Sequence, residues 1–273
     1  PSPPFCFAAP RVVTSGRPTM SDGQPDARGN TPDPLSPQEQ ALERQIYKHV
    51  LAQVKSALED AAQAASAHER RGVLAKAHYA ISSALSTNTN AVLNSPAGAD
   101  LKKEIACRKG CTFCCYQNVG VTIIEAIAIS SGIMLLKPHL AARIASQADQ
   151  VKGMTDGERA KKRMPCVFLA DGLCSIHDIR PLACRAYFSL NLKDCEEVFE
   201  KGLSPGAEGN ITTFSFPAIF RGAVLAATNA ASAERGLQAG SVELTAAVAR
   251  VLADPGIVDR WFAGEEAFVP QPV

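Results

Sequence analysis

At 273 residues, 46% of them apolar, the chain is long enough to bury a hydrophobic core without disulfide cross-links. It carries 28 basic and 27 acidic residues, and a formal net charge of +1 gives no field that would attract nucleic acid or an anionic membrane surface. Composition therefore favours an ordinary globular protein and predicts neither a nucleic-acid partner nor a membrane partner.

Residues 1–35 are rich in proline and glycine and show little periodicity, so we predict a disordered N-terminal tail. The first methionine, Met20, begins a stretch that resembles an ordinary protein start, and we interpret residues 1–19 as lying upstream of it. Neither start has the basic segment and unbroken apolar segment of a signal peptide. We therefore expect a reducing, cytoplasmic location.

A helical pair is predicted over residues 36–100. The sequence SPQE, beginning at Ser36, places a serine at the N-cap, a proline at the first helical position and a glutamate at the third, which is a capping box. Apolar residues at helical spacing then extend this helix over 37–64. A second apolar stripe, from Leu74 to Leu85, predicts a partner helix that ends at "STNTN".

Residues 101–204 form the predicted cysteine-cluster domain. A second capping box, TIIE from Thr122, predicts a helix that begins beside the first cysteines. A polar helix around 139–152 and a basic loop, "GERAKKRMP", should follow, and a turn is predicted at Asp171-Gly172. The long apolar run of this region, "VGVTIIEAIAISSGIMLL", is interrupted by a glutamate and two serines and falls short of a membrane span.

The C-terminal part, residues 205–273, is predicted to add helices over 217–235 and 242–253 that pack on the same core. Alternating strand patterns are scarce, and "TTFSF" at 212–216 is a short candidate. The predicted fold class is therefore mainly α, an irregular helical domain organised around a cysteine-rich metal site.

Eight of the nine cysteines fall in one segment, and the ninth, Cys6, lies alone in the tail. The eight form two groups: Cys107, Cys111, Cys114 and Cys115, and then Cys166, Cys174, Cys184 and Cys195. Cys111 and Cys114 have a separation that lets two thiolates bind one ion, and Gly110 before them is expected to adopt a positive φ. Eight thiols divide into two sets of four, the number preferred by structural zinc and by the common iron–sulfur clusters.

Three interpretations of the cysteines compete. Ordinary buried thiols do not explain a Cys-Cys pair beside two more cysteines. A dithiol redox relay or oxidation sensor needs only Cys111 and Cys114. Metal or cluster binding explains both the number and the clustering of the cysteines, and we favour it.

Basic residues flank the cysteines and would offset the net charge of −2 on a four-thiolate site. They are Arg108, Lys109, Lys161, Lys162, Arg163, Arg180 and Arg185. Each of them could instead lie on a solvated surface. His177 stands near Cys174, and because sulfur ligands suffice we interpret it as a surface or supporting residue.

The spacing from Cys107 to Cys114 also matches the C-x3-C-x-aromatic-C pattern of radical S-adenosylmethionine enzymes. Those enzymes place the pattern after the first strand of a β/α barrel, whereas helical patterns precede it here and no βα alternation follows. We therefore keep this interpretation as an alternative only.

The segments "CRKGCTFCC" and "PCVFLADGLCSIHDIRPLACRAYFS", followed by Cys195, resemble the YkgJ-type cysteine-cluster proteins, the CxxCxxCC family of zinc- or iron-chelating domains. The resemblance covers about 107–195 and implies that all eight clustered cysteines are metal ligands. It departs from the family pattern at Cys107, which is followed by three residues rather than two before Cys111. A related cysteine region accompanies flagellin lysine methylases, where it is linked to an iron–sulfur cluster.

The sequence thus predicts a metal-binding protein that holds zinc or a 4Fe-4S cluster, with a physiological role and a protein partner that it does not reveal. The cluster is slightly favoured, because the second cysteine group lacks the short knuckles of four-thiolate zinc sites. An iron–sulfur enzyme, of redox or methyltransferase type, and a thiol redox sensor remain alternatives. Whether the protein is an enzyme stays open, since we find no phosphate loop, no Ser/His/Asp ordering and no paired carboxylates near the cysteines.

Overall fold

The computed structural model describes residues 12–14, 35–202 and 211–270. Over these residues the fold is mainly α-helical, as predicted. The helices are α1 (Pro37–Gln63), α2 (Ala67–Leu93), α3 (Ala99–Glu104), α4 (Ile123–Leu136), α5 (Ala141–Val151), α6 (Asp156–Lys162), α7 (Leu182–Arg185), α8 (Leu192–Glu200), α9 (Ser215–Glu234), α10 (Leu244–Ala253) and α11 (Ile257–Phe262). The strands are β1 (Val12–Thr14), β2 (Gly120–Thr122), β3 (Leu169–Ala170), β4 (Leu173–Cys174), β5 (Thr212–Phe214) and β6 (Ser241–Glu243).

Helices α1 and α2 form the predicted pair and pack against each other. The capping box at the start of α1 is present, with the backbone N–H of Glu39 donating to Ser36 Oγ at 3.3 Å and the Glu39 carboxylate accepting from the Ser36 N–H at 2.9 Å. Helix α2, however, continues through "STNTN" to Leu93. Thr89 and Val92 lie on its buried face, so tertiary packing outweighs the low helix propensity of this stretch.

Helix α4 lies at the centre of the core. Ten of its fourteen residues are buried, because α2 packs on one side of it and α10 on another. Helix α9 closes the bundle against α1, and α5 packs against α10. A helix that is apolar on all sides is expected in such a position.

In the described part of the chain, no single helix is long and apolar enough to cross a membrane. By length and composition, only α4 together with the segment Pro138–Val151 reaches that extent, and these two pieces are bent by 113°.

Short antiparallel strand pairs join parts of the chain that are far apart in sequence. Strand β2, just after the first cysteines, pairs with β6, and the predicted strand at β5 pairs with β1. Strand β1 lies in the segment predicted to be disordered, and that prediction is wrong for these three residues. The rest of that prediction, for residues 1–11 and 15–34, lies outside the described residues. Helix α10 begins later than predicted because its first predicted residues belong to β6.

The predicted basic loop "GERAKKRMP" is largely the helix α6, and that prediction was wrong. Thr155 caps this helix, with the backbone N–H of Glu158 donating to Thr155 Oγ1 at 3.3 Å and the Glu158 carboxylate accepting from the Thr155 N–H at 2.8 Å. The helix ends at Arg163, which adopts φ 46°. A capping box thus initiates this helix, although its basic residues had favoured the prediction of a loop.

Helix α6 is fixed to the C-terminal part of the fold by a buried ion pair. Arg159 Nη1 lies 2.8 Å from Glu243 Oε1, and the side chain of Arg159 is only 3% exposed. Removing one partner of such a pair leaves an uncompensated buried charge. The cysteine region and the C-terminal helices therefore pack as parts of one structure.

Two positions on α4 test its central role. Ile127 is fully buried and Leu135 is 80% exposed. The change Ile127→Ala should lower the free energy of unfolding by roughly 2–5 kcal/mol, because it leaves a cavity in the core. The matched change Leu135→Ala should alter it by about 0.5 kcal/mol or less. Urea denaturation followed by circular dichroism measures both, and equal effects would contradict the position of α4.

Candidate metal centre

The first cysteine group lies in the irregular segment between α3 and β2. Gly110 adopts φ 89°, as its position before Cys111 predicted, and lets the chain turn back on itself. The backbone N–H of Cys111 then donates to the carbonyl of Arg108 at 3.0 Å. Cys114 and Cys115 follow on a single 3-10 turn, Phe113–Tyr116.

The second cysteine group is spread over a hairpin and two short helices. Cys166 precedes the hairpin of β3 and β4, and Cys174 ends it. The predicted turn is present between the strands, where Asp171 and Gly172 adopt φ values of 49° and 73°. Cys184 lies in α7 and Cys195 lies in α8.

Hydrogen bonds from backbone N–H groups join the chain segments that carry the first and the second cysteine group of the sequence. The N–H of Cys166 donates to the carbonyl of Cys115 at 2.6 Å. The N–H of Ala106 donates to the carbonyl of Ser189 at 2.8 Å, and the N–H of Ser189 donates to Cys107 Sγ at 3.2 Å. Residues that are 51 to 83 positions apart are thereby held side by side.

Four of the thiols form one neighbourhood, which we call the Cys184 group (Cys115, Cys166, Cys174 and Cys184). Burial raises the pKa of Cys184, and negative charge on each of the other three raises it further. Burial likewise raises the pKa of Cys166 to about 12, opposed by a hydrogen bond from the backbone of Phe168. Cys166 and Cys184 therefore stay protonated at neutral pH in the absence of a cation.

We assign the other four thiols to the Cys107 group (Cys107, Cys111, Cys114 and Cys195), of which Cys114 interacts with Cys184 as well as with Cys107. Burial raises the pKa of Cys195, and negative charge on Cys107 and Cys111 adds to the effect. The hydroxyl of Tyr187 is buried among three members of the group, and the pKa of Tyr187 is raised by burial and then by Cys195, Cys114 and Cys107.

Cys114 and Cys115 are adjacent in the chain, and they connect the Cys107 group to the Cys184 group. The Cys114 thiol hydrogen-bonds to the Cys115 sulfur, which raises the pKa of Cys114 well above its usual value and lowers that of Cys115 to about 7. Cys114 is exposed, whereas Cys115 is half-buried. The two groups therefore share one peptide unit.

All eight predicted ligands thus lie in one region, and all eight are free thiols. As placed, no three His, Cys, Asp or Glu side chains converge with the spacing of a metal site anywhere in residues 35–202 or 211–270. The assignment of the eight cysteines as ligands stays a prediction.

The hydrogen-bond donors around the thiols fit thiolates that bind a soft metal ion or a cluster. The backbone of Ile176 donates to Cys174, as the backbones of Phe168 and Ser189 do to Cys166 and Cys107. Such N–H donors stabilise metal-bound thiolates. Buried polar atoms without a hydrogen-bond partner lie close by: Arg180 Nε, Arg185 Nε and the Tyr187 hydroxyl. Thiolates with a metal, or the sulfides of a cluster, would supply acceptors for them.

The predicted flanking cations divide into two classes. Five of them are exposed at the surface: Arg108, Lys109, Lys161, Lys162 and Arg163. Arg180 and Arg185 instead lie half-buried among the thiols. The side chain of His177 is 66% exposed and contacts Arg180 rather than a thiol group, in agreement with a surface position.

Sequence reasoning missed Tyr187 and Ser189, although both lie between Cys184 and Cys195. Ser189 donates through its backbone to Cys107, and its hydroxyl lies 3.2 Å from Cys195 Sγ. Their position between two predicted ligands was the available signal, but chain position alone does not tell which side chains turn toward sulfur.

A buried polar connection links the helical core to the Cys184 group. Glu125, at the start of α4, accepts a hydrogen bond from the backbone N–H of Leu182 at 2.5 Å and so holds the first turn of α7. His78 on α2 lies 4.0 Å from the same Glu125 oxygen and 3.2 Å from Ser82 Oγ. Burial raises the pKa of Glu125 to about 7 and lowers the pKa of His78 to about 3, so the pair is predominantly neutral near pH 6.

Residues 106–201 match the family model described as "CxxCxxCC: Putative zinc- or iron-chelating domain". The match confirms the resemblance and contains all eight clustered cysteines. It supports metal binding and gives no evidence for the enzyme or redox-sensor alternatives. No curated protein and no solved structure matches the chain.

The buried His78 predicts an acid sensitivity. Below pH 6.5 the unfolded chain binds a proton on this histidine that the folded chain does not, so stability falls as the pH decreases toward 3. Between pH 7 and pH 5 the metal-free wild type should lose about 2 kcal/mol more than the variant His78→Gln. Glu125 acts in the opposite direction in this range but is present in both proteins.

Urea denaturation at several pH values measures the difference, and His139→Gln is the control because His139 is exposed. Parallel stability curves for the wild type and His78→Gln would show that His78 is not buried in the neutral form.

Proposed function

We propose that this CxxCxxCC domain is a metal-binding module with two four-thiolate sites, one formed by the Cys184 group and one by the Cys107 group. The observation that supports the proposal is the presence of eight free thiols in one region, where Cys184 interacts with Cys115, Cys166 and Cys174, and Cys195 interacts with Cys107 and Cys111. Cys114 interacts with members of both sets. Four thiolates are the ligand number of structural zinc and of common iron–sulfur clusters. Hard ions such as magnesium and calcium do not suit these soft donors.

We favour iron–sulfur clusters over zinc as the occupants. The Cys184 group takes its ligands from a 3-10 turn, a hairpin and a short helix, and contains none of the paired knuckles of four-thiolate zinc sites. The buried donors of Arg180 and Tyr187 also suit a cluster, because its sulfides accept hydrogen bonds in addition to the cysteine sulfurs. When bound, a cluster would supply one-electron chemistry, while the chain supplies ligands, donors and exclusion of water.

A reducing compartment such as the cytoplasm is part of the proposal. All eight described cysteines are free, and the vicinal Cys114 and Cys115 are joined by a hydrogen bond rather than a disulfide. Thiols of this kind persist where glutathione and thioredoxin keep cysteine reduced.

Anaerobic purification with metal analysis tests the occupants. Brown protein with iron and inorganic sulfide is the expected result, with broad visible absorbance that bleaches on oxidation. Colourless protein with stoichiometric zinc would replace the cluster assignment by a structural site. Protein without metal, even after anaerobic reconstitution with iron and sulfide or with zinc, would contradict the proposed function.

Cysteine substitutions test the division into two sites. Cys184→Ser and Cys195→Ser should each lower the metal content per chain by about half, since each removes a ligand of only one site, and should lower the melting temperature together with it. The double variant should retain almost no metal. Cys6→Ser, outside the described residues, is the control. A variant that keeps the full metal content and melting temperature would lose its place among the ligands.

A further inference from the structure

Helix α5 carries no cysteine, yet two of its side chains bind the backbone beside Cys166. Gln147 Nε2 donates to the carbonyl of Pro165 at 2.5 Å. Arg143 Nη2 donates to the carbonyl of Leu169 at 2.7 Å. The two side chains are four residues apart on a helix and therefore lie on one face of it. One face of α5 thus binds the chain on both sides of Cys166.

The contact from Gln147 reaches a peptide unit that is bound at both ends. The carbonyl of this unit, that of Pro165, accepts from the Gln147 amide. Its N–H, that of Cys166, donates to the carbonyl of Cys115 at 2.6 Å. Hydrogen bonds that run in series through one peptide unit polarise and strengthen each other. The Gln147 amide therefore supports the contact that brings Cys166 to Cys115.

The contact from Arg143 acts on the hairpin that follows. Leu169 is paired with Cys174 in the hairpin of β3 and β4, and its N–H donates to the carbonyl of Cys166 at 2.9 Å. Binding of the Leu169 carbonyl by Arg143 therefore supports the hairpin that ends in Cys174. The backbone that α5 binds thus joins three of the four thiols of the Cys184 group.

Helix α5 is suited to this role because the core fixes it in place. Ile144, which lies between the two donors, is fully buried. The helix packs against α10, and α10 packs in turn against the central helix α4. A side chain on a packed helix holds a ligand more precisely than one on a loop.

We propose that Gln147 is a positioning residue of the Cys184 site, which holds the Pro165–Cys166 peptide so that Cys166 and Cys115 bind the same metal ion or cluster. This inference rests on the proposed function. Groups that orient metal ligands without touching the metal are generally needed for full metal affinity.

The other proposed site is held by different contacts. The N–H of Ser189 donates to Cys107 Sγ at 3.2 Å, and the Ser189 hydroxyl lies 3.2 Å from Cys195 Sγ. Loss of the Gln147 contact should therefore weaken one site and leave the other unchanged. A general loss of stability would weaken both sites, so the comparison of the two separates a positioning role from a structural one.

The test compares Gln147→Leu, which removes the donor, Gln147→Lys, which replaces it with another donor, and the control Gln150→Leu. Gln150 lies on the same helix and is exposed, and its Nε2 donates to the carbonyl of Ser146 within α5 at 3.3 Å. Leucine, lysine and glutamine have similar helix propensities, so α5 should be retained in every variant. Circular dichroism of the metal-free proteins reports folding separately.

Each site is measured alone in the full-length chain. The three variants are combined with Cys195→Ser, which leaves the Cys184 site, and separately with Cys184→Ser, which leaves the Cys107 site. The proteins are reconstituted anaerobically with the metal found in the wild type, either iron with sulfide or zinc, and are titrated with EDTA. Affinities are compared within each background.

Where only the Cys184 site remains, Gln147→Leu should weaken metal binding by roughly 10- to 100-fold, the usual effect of removing a group that orients a metal ligand. Gln147→Lys should recover part of the lost affinity, because it restores a donor to the Pro165 carbonyl. Gln150→Leu should bind as its parent does. Where only the Cys107 site remains, all three variants should bind as their parent does.

Unchanged affinity in Gln147→Leu, or equal weakening of both sites, would overturn the inference while leaving the proposed function intact. Equal affinities in Gln147→Leu and Gln147→Lys would overturn the donor role of the Gln147 amide. If Gln147→Leu does not fold without metal, Gln147→Glu, which cannot donate when ionised, replaces it with the same expected result. Absence of metal from the wild type would instead contradict the proposed function itself.

Discussion

The hydrogen bond from the Cys166 N–H to the Cys115 carbonyl is the shortest of the contacts that join the two cysteine segments. It joins two segments that are separated by about 50 residues of helical chain, and loop closure of that length costs entropy that local contacts must repay. The core provides the frame for it, because α4 begins directly after the first cysteines and α7 is held by Glu125 of the same helix. Both cysteine segments are thus fixed to the most buried helix of the fold.

Burial of the thiols sets the chemistry that this frame can support. Cys166 and Cys184 are shielded from water, so their thiolates are unstable unless a cation replaces the lost hydration. Binding of a soft metal supplies that cation and releases protons, which couples metal affinity to folding and to pH. The backbone donors to Cys107, Cys166 and Cys174 lower the same cost locally. The surroundings of Cys166 and Cys184 therefore suit metal-bound thiolates, although both thiols are protonated when nothing is bound.

Local sequence signals predicted much of the fold but little of the grouping of ligands. Capping boxes at Ser36 and Thr122 gave the starts of α1 and α4, because a cap is decided by neighbouring residues. The extension of α2 to Leu93 was missed, since it depends on burial against distant helices. The eight cysteines could be named from their clustering. Their arrangement could not, because Cys115 interacts with the later Cys184 and adjacent Cys114 interacts with both Cys184 and the earlier Cys107.

The sharing of one peptide unit by the two thiol groups has a consequence for assembly. Consecutive Cα atoms are about 3.8 Å apart, so once either group has closed around its occupant, the neighbouring cysteine of the other group is already placed. The entropy cost of ordering that cysteine arises when the first site fills and does not arise again when the second site fills. This favours positive cooperativity without any contact between the occupants. Occupation of one proposed site would then favour occupation of the other, so delivery of the first occupant would influence the maturation of the whole centre.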